Sequence, residues 1–254
     1  EAAEALRRDT GNPEVRFLGA DLSSMAEVRE VASRVRGFGE EVDVLVNNAG
    51  AYFVRREETA DGFEATFALN HLAPFLLTHL LMEPLLAGDG GRVVVTASAA
   101  SRAGRLHFDD PMLARRYNSW AAYGQSKLAN IAFTTALARR LEGAPVTVNA
   151  FHPGFVNSGF GTGPTLMNRL VRVAARVGAR TPARGADTGV YLAVSDAVAD
   201  VSGEYFADRR RVRPAQQARD EASTEKLWRL SEELVKLTDA ERAPLVRLAA
   251  NAPS

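Results

Sequence analysis

Short apolar segments that alternate with long helical segments are the feature that most constrains the fold of this chain. Residues 42–47 and 146–151 have the pattern of short buried strands, and residues 92–97 are β-branched and apolar without alternation. Strands of this kind are covered on both faces. Helical patterns at about 60–86 and 121–141 separate them. The sequence therefore predicts an α/β fold with a doubly wound parallel sheet.

Other segments extend this pattern towards both termini. A strand over 15–21 is predicted before a helix that Ser23 or Ser24 caps and that ends near residue 35. The further predicted elements are helices at 165–177, 183–195 and 220–237 and a strand at 203–207. From Thr238 onward we expect a loosely held tail, residues 238–254.

Composition excludes several classes of function. The 254 residues carry no net charge, so no global field would attract nucleic acid or an anionic membrane. The chain has no cysteine, and its four histidines lack ligand spacing, so no metal site is expected. The apolar run 76–86 is too short to span a bilayer, and no signal-peptide pattern opens the chain. We expect a cytoplasmic protein without a membrane span.

A tyrosine and a lysine lie one helical turn apart in the segment predicted to be helical from residue 121. Tyr123 and Lys127 therefore share a helix face. A nearby cation favours phenolate, so Lys127 is expected to lower the pKa of Tyr123 from about 10. Such a phenol can exchange a proton with an alcohol or carbonyl oxygen, which Ser98, after the preceding strand, can also hydrogen-bond. An incidental surface pair is the alternative interpretation.

The segment Asn47-Asn48-Ala49-Gly50 follows another predicted strand. Its small residues let the backbone approach a flat ligand, and its amides can tie neighbouring strand ends together. A simple turn is an equal alternative, because asparagine and glycine are common in turns. Ligands of doubly wound sheets bind beyond the carboxyl ends of the strands, where Asp21, Ser98 and the residues from Pro153 to Ser158 are also expected.

These motifs, in this order, resemble the short-chain dehydrogenase/reductase family from about residue 1 to 237. The resemblance implies a Rossmann-type fold and hydride transfer between a nicotinamide dinucleotide and an alcohol or carbonyl group. It implies that Tyr123 is the general acid or base and that Ser98 orients the substrate oxygen. Lys127 would lower the pKa of the tyrosine and bind the nicotinamide ribose. Asn70 would support a water-linked proton relay to Lys127.

The same resemblance implies a set of cofactor-binding residues. They comprise a pair beside the adenine ring, the asparagine-glycine segment, the tyrosine-lysine pair and a segment near the nicotinamide carboxamide. These residues are Asp21, Leu22, Asn47, Ala49, Gly50, Tyr123, Lys127, Pro153, Gly154, Val156 and Ser158. Ser158 replaces the family's threonine and keeps its hydroxyl. The cofactor is expected to be NADP or NAD, with NADP favoured because related reductases often prefer it.

The long segment between Ser98 and Tyr123, together with Val201-Ser-Gly-Glu-Tyr-Phe206 and Leu227-Trp228, resembles retinol dehydrogenases and their bacterial relatives. This resemblance suggests a lipophilic or bulky alcohol or carbonyl substrate. Pairing of the long helices between subunits, as in the family, would make a homo-oligomer.

A member of this family is expected to open with a strand, a glycine-rich turn and a helix that bind the pyrophosphate. This sequence has no such segment and begins where the family's second helix is expected. We therefore expect an N-terminally truncated domain over 1–237, without its first two strands and first helix.

Other functions fit the sequence less well than an oxidoreductase. A serine hydrolase would need a Gly-x-Ser-x-Gly turn, which Ser98 lacks. The basic cluster Arg209–Arg213 is expected to be a short solvated loop rather than a nucleic-acid site. A sugar epimerase shares Tyr-x-x-x-Lys but is usually a longer chain. The main alternative is a non-catalytic dinucleotide-sensing or partner-binding protein on the same fold, or an inactive fragment. The intact Ser98, Tyr123 and Lys127 argue against it.

Overall fold

A five-stranded sheet forms the centre of the protein. The computed structural model describes residues 1–39, 41–154 and 180–251. Neighbouring strands follow the chain order β1-β2-β3-β4-β5, and every pair is parallel except β4 with β5. The strands are β1 (Val44–Asn47), β2 (Gly91–Thr96), β3 (Val146–Phe151), β4 (Tyr205–Ala207) and β5 (Arg210–Arg211).

Helices connect the strands and lie close to the predicted positions. The predicted helix at 60–86 begins only at Ala65, where the Glu64 side chain accepts hydrogen bonds from two backbone N–H groups, and it is interrupted by a π-helical turn, Ala68–Leu72. The α-helices are α1 (Ala2–Thr10), α2 (Met25–Arg36), α3 (Ala65–Phe67), α4 (Ala73–Leu80), α5 (Met82–Ala87), α6 (Ser119–Arg140), α7 (Pro182–Val194), α8 (Glu221–Leu234) and α9 (Asp239–Asn251). The predicted helix at 165–177 lies outside the described residues.

The sheet is covered on both faces. Along β2, Val93 and Val95 pack into the larger cluster of buried apolar side chains, whereas Val94 packs into a second cluster. The larger cluster includes side chains of α2, α4, α5, α6, α8 and α9, and the second includes Leu192 of α7. Successive side chains of a strand point to opposite faces, so both faces need apolar residues. The predicted doubly wound α/β architecture is confirmed.

The prediction of a strand at 15–21 is wrong. These residues form no sheet ladder, and β1 pairs only with β2 in the described part of the chain. A strand is defined by a hydrogen-bonded neighbour, and none of the described residues forms a ladder with this segment. The backbone N–H of Asp21 instead donates to the Glu27 carboxylate at 2.6 Å. Of the two serines considered as the cap of α2, Ser24 takes that place.

The prediction of a loosely held tail over 238–254 is also wrong for its described residues. They form α9, in which the Leu245 side chain is buried in the larger core cluster. The Glu241 carboxylate forms an ion pair with Arg29 of α2 at 2.9 Å. The same arginine donates to the carbonyl oxygen of Val235, so it joins α2 to the chain on both sides of residue 238.

The basic cluster Arg209–Arg213, expected to be a solvated loop, contributes a short antiparallel edge strand, β5. Its arginine side chains are exposed, and two of them meet carboxylates: Arg209 pairs with Asp187 and Arg211 with Glu204. Among the described residues, no helix is long and apolar enough to cross a bilayer.

Candidate active site

The carboxyl ends of β1, β2 and β3 lie together, because Asn47 is in register with Val95 and Thr96 with Phe151. The N-terminal half of α6 lies over this edge and brings its polar side chains to it. Asn118 caps α6 by accepting a hydrogen bond from the backbone N–H of Ala121 at 2.9 Å. This start of the helix places the predicted tyrosine and lysine beside the end of β2.

Tyr123 and Ser98 are in contact. The Ser98 hydroxyl hydrogen-bonds the phenol of Tyr123, which is half-buried. Ser98 lies two residues after the end of β2 and caps a short 3₁₀-helix, Ala99–Arg102, by accepting from the backbone N–H of Ala100 at 3.3 Å. The Tyr205 hydroxyl donates to the carbonyl oxygen of Ser98 at 3.3 Å. The serine is therefore held on both its backbone and its side chain.

Lys127 is buried one helical turn below Tyr123. Its Nζ lies 5.9 Å from the centroid of the Tyr123 ring and donates to the carbonyl oxygen of Thr96 at 3.0 Å. Burial lowers the pKa of Lys127 to about 8, because an ammonium in an apolar environment loses its hydration. The amine is therefore close to losing its proton in the neutral to mildly alkaline range.

The expectation that Lys127 lowers the pKa of Tyr123 is not met in this structure. Burial raises the pKa of the phenol, and the Ser98 hydrogen bond acts in the opposite direction. Lys127 has a pKa of about 8, so it has lost its charge at the more alkaline pH where the half-buried phenol ionises. Tyr123 is thus a phenol that keeps its proton at neutral pH.

Asn70 holds the asparagine-glycine segment against the site. Its Oδ1 accepts from the backbone N–H of Ala51 at 2.8 Å, and its Nδ2 donates to the Ala51 carbonyl oxygen and to the Ser126 hydroxyl, each at 3.0 Å. A Cβ on Gly50 would lie 3.1 Å from Asn70 Oδ1 and 3.2 Å from Lys127 Nζ. Gly50 therefore occupies the space between the two predicted relay residues.

The π-helical turn that carries Asn70 was not predicted, although the sequence contains a signal for it. Pro74 follows four residues later, has no N–H to donate to the Asn70 carbonyl oxygen, and its ring would collide with that oxygen in a regular α-helix. The helix widens instead, and the N–H of Ala73 bonds to the Ala68 carbonyl oxygen. Such π turns are frequent at functional sites.

The two asparagines before Gly50 connect secondary-structure elements, as the amide chemistry suggested. Asn47 Nδ2 donates to the Thr78 hydroxyl of α4 at 3.0 Å, and the Thr96 hydroxyl of β2 donates to Asn48 Oδ1 at 3.0 Å. The Asn47 side chain is buried in this contact. If Asn47 contacts a cofactor, as the sequence predicts, it therefore does so through its backbone.

The remaining predicted cofactor residues lie in the loop before α2 and in the segment after β3. Asp21 and Leu22 are in the loop before α2, where the Asp21 carboxylate accepts from the Ser23 N–H and hydroxyl, which lowers its pKa. Pro153 and Gly154 follow β3, and Gly154 has a φ of +79°, a conformation that favours glycine. Val156 and Ser158 lie outside the described residues.

Asn130 is a site residue that the sequence reasoning missed. Its Nδ2 donates to the Thr96 carbonyl oxygen at 3.2 Å, the same atom that Lys127 contacts. Its Oδ1 faces His71 Nδ1 at 3.4 Å, and His71 Nε2 faces the Ser231 hydroxyl at 2.9 Å. The position of Asn130 three residues after Lys127, on one helix face, could have indicated it.

Lys127 offers the clearest fit to a dinucleotide. An ammonium has three N–H donors, and in the described part of the chain Lys127 uses one of them, on Thr96. A buried cation with free donors at the carboxyl edge of a parallel sheet suits the hydroxyls of a nicotinamide ribose. The described residues contain no group of three His, Asp or Glu side chains that could hold a metal ion.

Known proteins that are similar in sequence show the family. A family model described as short chain dehydrogenase matches residues 1–165. Retinol dehydrogenase 13 of Homo sapiens is 40% identical over 252 residues, which cover 97% of this chain and 75% of that protein. Retinol dehydrogenase 14 of Homo sapiens is 40% identical over 220 residues, which cover 85% of this chain and 66% of that protein.

Solved structures share the fold. An uncharacterized protein from Mycobacterium paratuberculosis matches with a TM-score of 0.72 and 33% identity, over 92% of this chain and 80% of that chain. A structure described as an NAD(P)-dependent gluconate 5-dehydrogenase from Beutenbergia cavernae, with bound NADP, matches with a TM-score of 0.63 and 28% identity, over 81% and 78%. Because the family model matches well over half of the chain, this protein belongs to the short-chain dehydrogenase/reductase family, whose members are NAD(P)-dependent oxidoreductases of alcohols and carbonyl compounds.

Proposed function

We propose that Tyr123 is the general acid and base of this oxidoreductase. In reduction it donates its phenolic proton to the carbonyl oxygen, and in oxidation it takes the proton from the alcohol. The observation that carries the proposal is the hydrogen bond between the Tyr123 phenol and the Ser98 hydroxyl, with the Lys127 ammonium buried one turn below. A substrate oxygen placed between these two hydroxyls can accept a hydrogen bond from each of them.

The protonation states favour reduction of a carbonyl compound. Burial raises the pKa of Tyr123, so the phenol holds the proton that the product alcohol needs. Two donors on the carbonyl oxygen stabilise the negative charge that develops there. The nicotinamide dinucleotide supplies the hydride. Ser98 is fixed by its contacts with Ala100 and Tyr205, so it can orient the substrate oxygen without large rearrangement.

Lys127 and Asn70 support the proton path on the other side of Tyr123. In our proposal the ammonium binds the nicotinamide ribose, and Asn70 holds the Ala51 backbone so that a water chain can reach the ammonium. The pKa of Lys127, about 8, suits a group that returns a proton to the phenoxide after each turnover.

We infer that NADP is the preferred cofactor and that the substrate is a lipophilic alcohol or carbonyl compound. A relative from Beutenbergia cavernae was solved with NADP. Relatives with about 40% identity are named retinol dehydrogenases. Retinoid-like carbonyl compounds are therefore the first substrates to test.

The experiment is a cofactor-oxidation assay on the purified protein, with NADPH and NADH in turn, against a panel of aldehydes and ketones of increasing apolar size. We expect NADPH to be consumed faster than NADH and the larger apolar aldehydes to be preferred. Dinucleotide binding without turnover of any compound would overturn the proposal and would favour a sensing or partner-binding protein.

A further inference from the structure

Two aromatic side chains stand next to the proposed acid-base phenol and have no role in the proton chemistry. The Tyr52 ring meets the Tyr123 ring edge to face, with 5.8 Å between centroids, and the centroid of the Trp120 ring lies 5.4 Å from that of Tyr52. The three rings therefore form a continuous row that runs outward from the reacting centre, with Tyr52 in the middle.

The backbone under this row is firmly held. Tyr52 directly follows Ala51, whose N–H and carbonyl oxygen both bond to Asn70. Trp120 is in the first turn of α6, three residues before Tyr123 and on the same face of the helix. The Tyr52 hydroxyl and the neighbouring Ser119 hydroxyl hydrogen-bond at 2.8 Å, which joins the two elements. The rings are thus preorganised.

Trp120 is unusually exposed for an indole, with 55% of its surface accessible. Phe38 is similarly exposed, at 51%, but the guanidinium of Arg16 lies 4.5 Å from its ring centroid. No cation is recorded over the Trp120 ring among the described residues. An open aromatic surface beside a reacting centre is suited to a flat apolar ligand, which gains from stacking as well as from burial.

We propose that Tyr52 and Trp120 form an aromatic wall that determines specificity for carbonyl substrates with a flat, conjugated or aromatic substituent. The carbonyl group lies at Tyr123 and Ser98, and the substituent extends along the rings of Tyr52 and Trp120. This inference rests on the proposed function, because it needs the carbonyl group at Tyr123. It goes further by naming the residues that select the substrate and the shape of the group that they select.

Trp120 is the better residue to change, because Tyr52 contacts the Tyr123 ring itself and its loss would also disturb the phenol. Removing the indole takes away contact that the substituent makes in both the ground state and the transition state, so the effect should appear mainly in KM. We expect Trp120→Ala to lower the ratio of kcat/KM for 2-naphthaldehyde to that for hexanal about tenfold, which corresponds to about 1.4 kcal/mol.

The test measures kcat/KM for both aldehydes at saturating NADPH in the wild-type protein, Trp120→Ala, Trp120→Phe and the control Phe38→Ala. Trp120→Phe keeps a ring and should restore most of the preference for 2-naphthaldehyde. Phe38→Ala removes an equally exposed ring from the turn after α2 and should leave the ratio as in the wild type. An unchanged ratio in Trp120→Ala, or an equal loss in Phe38→Ala, would overturn the aromatic wall.

The same data separate this inference from the proposed function. If the wild-type protein reduces both aldehydes and the ratio of kcat/KM is the same in Trp120→Ala, the proposed aromatic wall is wrong and the proposed oxidoreductase activity is retained. If the wild-type protein reduces neither these two nor any other aldehyde or ketone in the panel, the proposed function fails, and the wall fails with it.

Discussion

The ammonium of Lys127 and the side-chain amide of Asn130 donate to one atom, the carbonyl oxygen of Thr96, at 3.0 and 3.2 Å. This shared acceptor determines the orientation of the Asn130 amide, because its Nδ2 must face Thr96 and its Oδ1 must face His71. The neutral His71 ring then donates from Nδ1 to Asn130, and its Nε2 lies 2.9 Å from the Ser231 hydroxyl. A buried chain of hydrogen bonds thus runs from the site to α8.

Replacement of Asn130 by alanine should destabilise the protein. It leaves the buried Nδ1–H of His71 without its acceptor, and a buried donor without a partner costs about 1–3 kcal/mol. Urea unfolding followed by circular dichroism measures the change. Thr135→Ala removes a side-chain hydrogen bond to Ile131 on the same helix, at a half-buried position, and serves as the control. Equal stabilities of Asn130→Ala and Thr135→Ala would contradict this account.

A methyl group on Gly50 should impair catalysis while the fold is retained. In Gly50→Ala the added Cβ would lie 3.1 Å from Asn70 Oδ1 and 3.2 Å from Lys127 Nζ, so one of these groups must shift by a few tenths of an ångström. Small misplacements of catalytic groups reduce rates strongly, and we expect a loss of about tenfold in kcat. Gly39→Ala is the matched control, because nothing lies within 4 Å of its added Cβ. Full activity of Gly50→Ala would show that catalysis does not require the missing side chain at this position between Asn70 and Lys127.

Two buried histidines should make the protein sensitive to acid. Burial lowers the pKa of both His71 and His79 to about 4, whereas an unfolded histidine titrates near 6.5. The unfolded state therefore binds more protons below about pH 6.5, and stability falls from there to about pH 4, by up to about 3 kcal/mol for each histidine. The free energy of unfolding in urea, measured across this range, should show the decline.

His79→Leu isolates one of these two contributions. Its Nδ1 faces the Phe75 carbonyl oxygen at 2.8 Å, and its Nε2 is the buried side-chain atom that has no hydrogen-bond partner among the described residues. The leucine cannot take up a proton, so the variant should lose about half as much stability between pH 6.5 and 4 as the wild type. The same pH dependence in both proteins would refute the assignment.

The rate of carbonyl reduction should fall as the pH rises through about 8. Lys127 loses its proton there, because burial lowers its pKa to about 8, and the neutral amine can neither bind the ribose as a cation nor return a proton to the phenoxide. Burial raises the pKa of Tyr123, so the phenol remains protonated throughout this range. The measurement is kcat/KM for an aldehyde against pH, with dinucleotide in excess. A profile that stays flat up to about pH 10 would contradict it.

The pattern of apolar residues predicted the sheet well where each strand has a neighbour. Residues 92–97 and 146–151 pair with each other and lie between two helical layers, so their composition records burial on both faces. Residues 15–21 have a strand-like composition but no neighbour, and local pattern cannot report the absence of a partner. The tail was missed because local sequence does not report tertiary contacts, here the burial of Leu245 in the core and the ion pair of Glu241 with Arg29.

The site was predictable as a set of residues, but its electrostatics were not. The spacing of Tyr123 and Lys127 and the position of Ser98 after a strand predicted side chains that the structure brings together. The pKa of Tyr123 was expected in the wrong direction, because sequence spacing does not show that burial raises the pKa of the phenol and lowers that of Lys127. The spacing of Asn130 from Lys127 could have indicated that residue, whereas the aromatic row around Tyr52 depends on a tertiary contact between two distant segments.

The most direct test of the account compares turnover and dinucleotide affinity in Tyr123→Phe. The variant keeps the ring and loses the proton, so kcat for carbonyl reduction should fall about 10²–10⁴-fold, while the dissociation constant for NADPH, measured by fluorescence titration, should stay close to that of the wild type. Tyr191→Phe removes a phenolic hydroxyl from α7 and should change neither quantity. Undiminished turnover in Tyr123→Phe would contradict the central claim.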